Sequence, residues 1–283
     1  MAYSALGAGV LSLGFSAILV RWAAAPGVVS SFYRMAIAAV VVAAPFAIRV
    51  YRGSWPPWRA VRIALLGGIF FAFDLAAWAS GVVLSGATNP TLLANTAPLW
   101  VGLGALILFR QRLAPAFWIG TVLALVGAGL ILGLEREGQL IGSLLGLLAS
   151  VFYAGYFLVT QLGRQKLDSL SYFWLAAVSS AVMLLLLSLG LDQPLGGYPA
   201  ATYRAFVAIA VITQIFGYFA IGFALGYLPA SVVAPTLLGQ PVITAILAGA
   251  LLGEALNITQ MLGGLVVLAG VFVVVRSQSN SLS

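Results

Sequence analysis

Long apolar stretches recur along this chain of 283 residues and dominate its sequence. The hydrocarbon core of a bilayer is about 30 Å thick and requires about 20 apolar residues per helix. Ten stretches come close to that length, at 3–20, 28–48, 63–83, 88–109, 116–134, 140–161, 169–190, 204–226, 230–252 and 255–275. They are too long for the strands of a membrane barrel and show no sustained alternation. The sequence therefore predicts an all-α integral membrane protein with ten transmembrane helices.

The composition excludes several classes of protein. Hydrophobic residues make up 63% of the chain and charged residues 7%, whereas soluble domains contain roughly 45–50% apolar and about 25% charged residues. The chain has no Cys and no His, so thiolate chemistry and the commonest metal ligand are missing. We expect no metal, no cofactor and no enzymatic activity. The net charge is +7, but the basic residues are scattered singly at predicted helix ends, so we expect no nucleic-acid partner.

The basic residues also predict the orientation in the membrane. If the N-terminus is cytoplasmic, nine of the 13 Lys and Arg residues fall in inside loops and three fall outside. Lys and Arg are enriched in cytoplasmic loops, so this orientation is favoured. An even number of helices then places both termini in the cytoplasm. Arg34 is the one basic residue left inside a predicted span.

The two halves of the chain resemble each other. A shift of 143 residues lays 73–132 on 216–275 without a gap and pairs Pro98 with Pro241. Each half has five spans, so the second copy enters the membrane inverted relative to the first. Inverted repeats around a site at the membrane midplane are a recurring plan of secondary transporters. The predicted domains are two five-helix repeats at 1–137 and 138–276, with a polar tail at 277–283.

One motif occurs in both halves: a proline, then an apolar helix with two glycines seven residues apart. Its residues are Pro241, Glu254, Gly263 and Gly270 in the second half, and Pro98, Gly120 and Gly127 in the first, with Gln111 at the place of Glu254. The chain resembles the EamA-type ten-helix members of the drug/metabolite transporter superfamily, most of all the YddG-type amino-acid exporters. This resemblance implies alternating access in the bacterial inner membrane.

Polar and aromatic side chains at helical spacing predict a central substrate-binding cavity. Its candidate residues are Ser12, Ser16, Asp74, Trp78, Thr91, Asn95, Tyr153, Tyr156, Gln214, Tyr218, Thr236, Gln240 and Thr244. A midplane site with aromatic walls and few charges suits a small zwitterion with a bulky side chain. The expected function is therefore export of amino acids, including aromatic or bulky neutral ones, or of related small metabolites. A multidrug exporter of lipophilic cations on the same fold is the alternative.

Asp74 is the acidic residue in the middle of a predicted span. An ionised carboxylate there costs at least about 2.5–3.5 kcal/mol on insertion scales. We interpret it as the anchor for a substrate ammonium group, with a proton carrier and a structural partner of Arg34 as alternatives. Arg34 is its possible charge partner.

Two further expectations concern the helix ends and the prolines. Pro98 and Pro241 are expected to kink the helices that contain them, either as hinges or as static shaping of the bundle. Glu254 is expected to cap the helix that follows it.

The expected partners are the lipid bilayer and a small-molecule substrate. No GxxxxGK[ST] loop occurs in the sequence, so no ATPase subunit is implied. Both a monomer and a homodimer are compatible with the sequence.

Overall fold

The structure is a computed structural model that describes residues 2–109, 114–132, 137–218, 220–221, 237, 239–254 and 258–280. All regular secondary structure in this part of the chain is helical. The α-helices are α1 (Ala2–Gly14), α2 (Ser16–Ala23), α3 (Gly27–Arg52), α4 (Trp58–Ser85), α5 (Thr88–Ala94), α6 (Ala97–Phe109), α7 (Pro115–Leu132), α8 (Glu137–Arg164), α9 (Ser169–Gly190), α10 (Ala200–Ala208), α11 (Gly239–Leu252) and α12 (Ile258–Asn280). A π-helix, Ile209–Gly217, continues α10.

Length and hydropathy identify the membrane-spanning helices. Six described stretches are long and apolar enough to cross a membrane: Ala2–Ala23, Gly27–Arg52, Trp58–Ser85, Gln139–Arg164, Ser169–Gly190 and Ala200–Gly217. Shorter apolar helices cover Pro115–Ala128, Gly239–Leu252 and Met261–Val274. The prediction of an all-helical membrane protein is confirmed. Helices lie in each of the ten predicted spans, but ten crossings and the orientation of the termini stay predictions.

The outer surface and the interior differ as expected for a helical protein in lipid. The main apolar core includes Ile18, Val29 and Leu184, which are fully buried. Large apolar side chains such as Val40 and Ile246 are instead exposed on the outside of the helices. Such side chains have a favourable environment only where hydrocarbon surrounds the protein.

Within the described residues, three of the predicted spans are irregular. α1 and α2 meet at a bend at Phe15, α5 and α6 are separated by Asn95 and Thr96, and α10 continues as a π-helix. At the break between α5 and α6, the Thr96 hydroxyl donates to the carbonyl of Leu93 at 2.7 Å. The Asn95 amide donates to the carbonyl of Thr91 at 2.8 Å. The same two carbonyls also accept the backbone N–H groups of Asn95 and Thr96, at 3.2 and 3.0 Å, so the polar backbone at the break is paired.

Pro98 lies at the start of a helix, as the second residue of α6, which corrects the expectation of an interior kink there. Pro241 lies in α11, but apart from Leu237 the residues that precede Gly239 are outside the described part of the chain, so the kink expected at Pro241 stays a prediction. The first turn of a helix needs no backbone donor, so proline fits there without strain. In the first half the chain departs from helical geometry at Asn95 and Thr96, before the proline.

Helices that the repeat makes equivalent pack in matching pairs. α4 packs on α8 as α1 packs on the π-helix, and α7 packs on α12. The crossing of α7 and α12 is reciprocal: a Cβ atom at Gly120 would lie 2.6 Å from the carbonyl oxygen of Gly270, and a Cβ at Gly270 would lie 2.6 Å from that of Gly120. A Cβ at Gly127 would lie 2.7 Å from the carbonyl oxygen of Gly263. Only helices without side chains at these positions can approach so closely.

Glu254 joins the two halves of the chain. Its two carboxylate oxygens accept the backbone N–H of Ala87 at 2.8 and 3.0 Å, and one of them accepts the Thr88 hydroxyl at 3.3 Å. Ala87 immediately precedes α5, so Glu254 caps a helix of the first half. The sequence had instead suggested a cap on the helix that follows Glu254, and residues 255–257, where that cap would form, lie outside the described residues. An anion is stabilised there by free N–H groups and the helix dipole. Gly86, with φ of +96°, allows the chain to turn into this contact.

A second polar contact links α3 with the start of α9. Arg49 Nε lies 3.0 Å from Asp168 Oδ2, and Asp168 accepts the backbone N–H of Ser171 at 2.9 Å as the cap of α9. Partial burial raises the pKa of Asp168, but hydrogen bonds from Ser171 and the charge of Arg49 outweigh it. The pKa of this carboxyl therefore lies below its ordinary value.

Candidate functional site

A cavity lies between helices from both halves of the chain. Its lining residues are Leu13, Ser16, Arg34, Asp74, Leu75, Trp78, Thr91, Ala94, Asn95, Tyr153, Tyr218 and Gln240. Its volume is about 40 Å³, room for roughly three water molecules. Pockets that hold drug-sized ligands measure about 300–1,000 Å³. A substrate of amino-acid size therefore needs more space than this cavity contains.

Eight of the thirteen predicted site residues line this cavity, together with Arg34. They are Ser16, Asp74, Trp78, Thr91, Asn95, Tyr153, Tyr218 and Gln240. Two of the irregular segments reach it directly, since Ser16 follows the bend at Phe15 and Asn95 lies in the break between α5 and α6. Irregular backbone at membrane depth is tolerated where it lines a cavity, and discontinuous helices surround the binding sites of many transporters.

Four predicted site residues do not line the cavity. The hydroxyl of Ser12 donates to the carbonyl of Ile212, and that of Thr244 donates to the carbonyl of Gly14 at 3.0 Å. Both hydrogen bonds join neighbouring helices. These two side chains therefore hold helices together and do not face a substrate. Gln214 and Tyr156 lie behind the lining, in contact with residues that form it or support it. Thr236 lies outside the described residues.

Arg34 is buried and its guanidinium is held by helices from both halves. Nε donates to Oε1 of Gln214 at 2.7 Å, and one terminal nitrogen donates to the Ser16 hydroxyl at 3.1 Å. The guanidinium carbon lies 5.9 Å from the centre of the Tyr218 ring, within the range of a cation–π interaction. Arg34 thus connects α3 with α2 and with the π-helix. Gln214 and Tyr218, four residues apart, both face it.

Asp74 faces the cavity without a direct partner. The residue is 6% exposed, and none of the described side chains or backbone groups donates a hydrogen bond to its carboxylate. Within the described part of the chain, no basic nitrogen lies within 4 Å of it, Arg34 included. A buried carboxylate without donors is costly. The geometry therefore leaves its hydrogen-bonding capacity to whatever occupies the cavity.

Aromatic rings form one wall of the site, and Phe71 holds them together. The Phe71 ring stacks on Tyr156 at a centroid distance of 4.5 Å and on Tyr153 at 6.5 Å, and meets Tyr218 edge-on at 5.6 Å. Sequence analysis missed Phe71. Its signal was the spacing from Asp74 and Trp78, which places it on the same face of α4.

Part of the cavity lining consists of neutral polar groups. Trp78 Nε1 donates to the Thr91 hydroxyl at 3.2 Å, and Thr91 donates in turn to the carbonyl of Ala87 at 2.7 Å. Asn95 uses its amide nitrogen on α5, which leaves its side-chain oxygen as an acceptor. The Gln240 amide makes no hydrogen bond to a described residue. These side chains therefore offer a ligand both acceptors, the oxygens of Asn95 and Gln240, and amide N–H donors.

A helical membrane protein with a charged and aromatic cavity between two similar halves has the organisation of a membrane transporter. The chain belongs to the EamA-like transporter family, whose model matches it over residues 1–133 and again over 140–276. The family confirms the transporter class and the membrane location. It does not establish the YddG-type subgroup, which stays a prediction.

Sequence relatives agree with this assignment. The chain is 29% identical over 147 residues to the uncharacterized transporter YcbK of Bacillus subtilis, covering 49% of this chain and 45% of that protein. It is 26% identical over 165 residues to a riboflavin transporter of Rhizobium johnstonii, covering 58% and 52%. The uncharacterized transporter YdfC of Bacillus subtilis is 23% identical over 211 residues, covering 74% and 69%. The matches thus span about half the length of the first two relatives.

A solved crystal structure has the same fold. It superposes with a TM-score of 0.62 at 18% sequence identity and covers 96% of this chain and 95% of its own. This likeness concerns the fold alone.

Proposed function

We propose that the protein exports amino acids, including aromatic and bulky neutral ones, or related small metabolites, across the bacterial inner membrane by alternating access. The observation that carries the proposal is the Asp74 carboxylate, which accepts no hydrogen bond from a described residue, in a cavity lined partly by aromatic rings. An ammonium group supplies the donors that this carboxylate lacks. The cavity also contains Arg34, so its formal charges balance, and a zwitterion enters without adding net charge.

Two other substrates share part of this argument. One relative is named a riboflavin transporter, and the rings of Trp78, Tyr153 and Tyr218 that line the cavity also suit a flat ring system. A lipophilic cation satisfies both Asp74 and the rings. Riboflavin offers no ammonium group to Asp74, whereas a lipophilic cation offers charge without a carboxylate.

Counterflow into proteoliposomes distinguishes the three. Purified protein is reconstituted with an unlabelled substrate inside, and uptake of labelled amino acids, riboflavin and a cationic dye is compared. We expect accumulation of aromatic and bulky neutral amino acids. Riboflavin or dye counterflow without any amino-acid counterflow would contradict the proposal.

Variants of the aromatic wall test where the substrate binds. Tyr153→Ala and Trp78→Ala should reduce counterflow of bulky amino acids more than that of small ones, because the rings contact the substrate side chain. Tyr51→Ala and Trp118→Ala are matched controls, since those side chains are 92% and 47% exposed, away from the cavity. Equal effects on large and small substrates would place the side-chain site elsewhere.

Asp74→Asn separates the three roles of this residue. As an ammonium anchor, its loss should raise the apparent KM for every amino acid by about 10- to 150-fold, the value of a hydrogen bond to a charged group. As a proton carrier, its loss should abolish pH-dependent accumulation while exchange continues. As a structural partner of Arg34, its loss should lower thermal stability, and Arg34→Gln should restore it. We expect the first result. An unchanged KM in a well-folded variant would contradict the ammonium-anchor role.

A further inference from the structure

The two charged residues of the cavity, Arg34 and Asp74, differ in how many hydrogen bonds they make to the described residues of the protein. Two of the three guanidinium nitrogens of Arg34 donate to Gln214 and Ser16, and the Tyr218 ring lies against the group. Asp74 has no such partner among the described residues. A substrate carboxylate therefore meets an arginine that already gives two of its five N–H groups to the protein, whereas a substrate ammonium meets an acid to which no described residue donates a hydrogen bond.

One neutral side chain of the lining adds to this asymmetry. Asn95 donates one of its two amide N–H groups to the carbonyl of Thr91, and no described residue donates to its side-chain oxygen. The Thr91 hydroxyl is already paired, because it donates to the carbonyl of Ala87 and accepts the N–H of Trp78. Oxygen atoms from two helices, α4 and the break after α5, thus share the cavity. Such a set recognises N–H groups, since each oxygen needs a donor.

From this arrangement we propose that the cavity recognises the ammonium group of its substrate and gives little weight to the carboxylate, so that primary organic amines are substrates as well as amino acids. The inference rests on the proposed function, because it concerns the same cavity. It adds a substrate class that amino-acid export does not include. The rings of Trp78, Tyr153 and Tyr218 hold the hydrocarbon part of such an amine, and Asp74 binds its N–H groups.

A set of three matched compounds tests the inference on the wild-type protein. Phenylalanine carries both charged groups, phenethylamine lacks the carboxylate, and 3-phenylpropionate lacks the ammonium group. Labelled phenethylamine should show counterflow in proteoliposomes. As a competitor of labelled phenylalanine, phenethylamine should act within about threefold of phenylalanine itself, whereas 3-phenylpropionate should be about 10- to 150-fold weaker, because it loses the hydrogen bonds to Asp74.

A variant then assigns the discrimination to Asp74. Asp74→Asn should abolish the difference between phenethylamine and 3-phenylpropionate, and Asp74→Glu should retain it. Size-exclusion chromatography and thermal unfolding establish that each variant is folded. The wild-type competition needs no variant, so the inference stays testable even where Asp74→Asn does not fold.

The outcomes separate this inference from the proposed function. Absence of phenethylamine counterflow, or competition by 3-phenylpropionate as strong as by phenylalanine, overturns the inference while amino-acid export stands. Absence of any amino-acid counterflow overturns the proposed function, whatever phenethylamine does.

Discussion

The Arg34 contact network makes a prediction whose size follows from its geometry. Arg34→Met keeps the length and the apolar stem of the side chain but removes the charge and both hydrogen bonds. Hydrogen bonds to charged groups contribute about 1.5–3 kcal/mol, and a buried acceptor left alone costs about 1–3 kcal/mol. Gln214 is 1% exposed, so solvent cannot replace the lost donor. We expect Arg34→Met to lower the free energy of unfolding by about 2–4 kcal/mol.

A double-mutant cycle isolates the contact itself. Gln214→Met should cost a similar amount on its own, but the double variant should cost less than the sum, because neither partner is then left unsatisfied. The expected coupling free energy is about 1.5–3 kcal/mol. Unfolding by sodium dodecyl sulfate in mixed micelles, followed by tryptophan fluorescence, measures it. Arg21→Met is the matched control, since Arg21 is exposed and donates to the carbonyl of Val83. That variant should change stability by less than about 0.5 kcal/mol.

Two results would refute this reasoning. Additive effects of Arg34→Met and Gln214→Met, within about 0.5 kcal/mol, would mean that the 2.7 Å contact contributes nothing specific. A coupling between Arg34 and Asp74 larger than that between Arg34 and Gln214 would favour the direct ion pair that the structure does not contain.

Three further predictions concern packing, pH and topology. Gly270→Ala should lower the free energy of unfolding by about 1–3 kcal/mol, because the added Cβ lies 2.5 Å from the backbone nitrogen of Ala124. Gly7→Ala is the control, since a Cβ there meets open space. Equal melting temperatures of the two variants would refute the close crossing. The pKa of Asp168 is lowered on folding, so the stabilisation that its carboxylate contributes should be complete above the ordinary pKa of an aspartate and lost as the pH falls through the lower folded pKa. The difference in melting temperature between wild type and Asp168→Ala should therefore shrink on acidification. A difference that grew would contradict the capping contact. Single cysteines at Ser54 and Gln193 should react with impermeant maleimide from the cytoplasmic and the external side, respectively, and the reverse pattern would refute the orientation.

The helices of this protein could be predicted from the sequence because apolar length determines them. The break in the backbone at Asn95 and Thr96 could not be predicted, because two such polar residues can occur in an apolar span whether its backbone is helical or interrupted. Helical spacing correctly suggested that Asp74 and Trp78 share a face. It could not separate Ser16, which lines the cavity, from Ser12 one turn earlier, which bonds to the neighbouring helix.

The position of Phe71 shows a second limit of the same kind. A phenylalanine in an apolar span is unremarkable by composition, and its importance comes from three tyrosines contributed by distant segments. Contacts between side chains far apart in sequence depend on how the helices pack, which spacing along one helix does not encode.

The crossing of α7 and α12 has a consequence for any motion in which the two halves exchange conformations. In such an exchange Gly120 takes the place of Gly263, and Gly270 takes the place of Gly127. The contact between Gly120 and Gly270 then becomes the contact between Gly263 and Gly127, and the reverse, so the crossing as a whole is unchanged. The contact of Glu254 with the start of α5 has no such invariance, because Gln111 occupies the corresponding place in the sequence. The α7–α12 crossing is thus the same from either half, whereas the Glu254 contact is not. If the two halves exchange conformations during transport, we expect the two end states to differ in energy even without a substrate, because only one of them contains this contact.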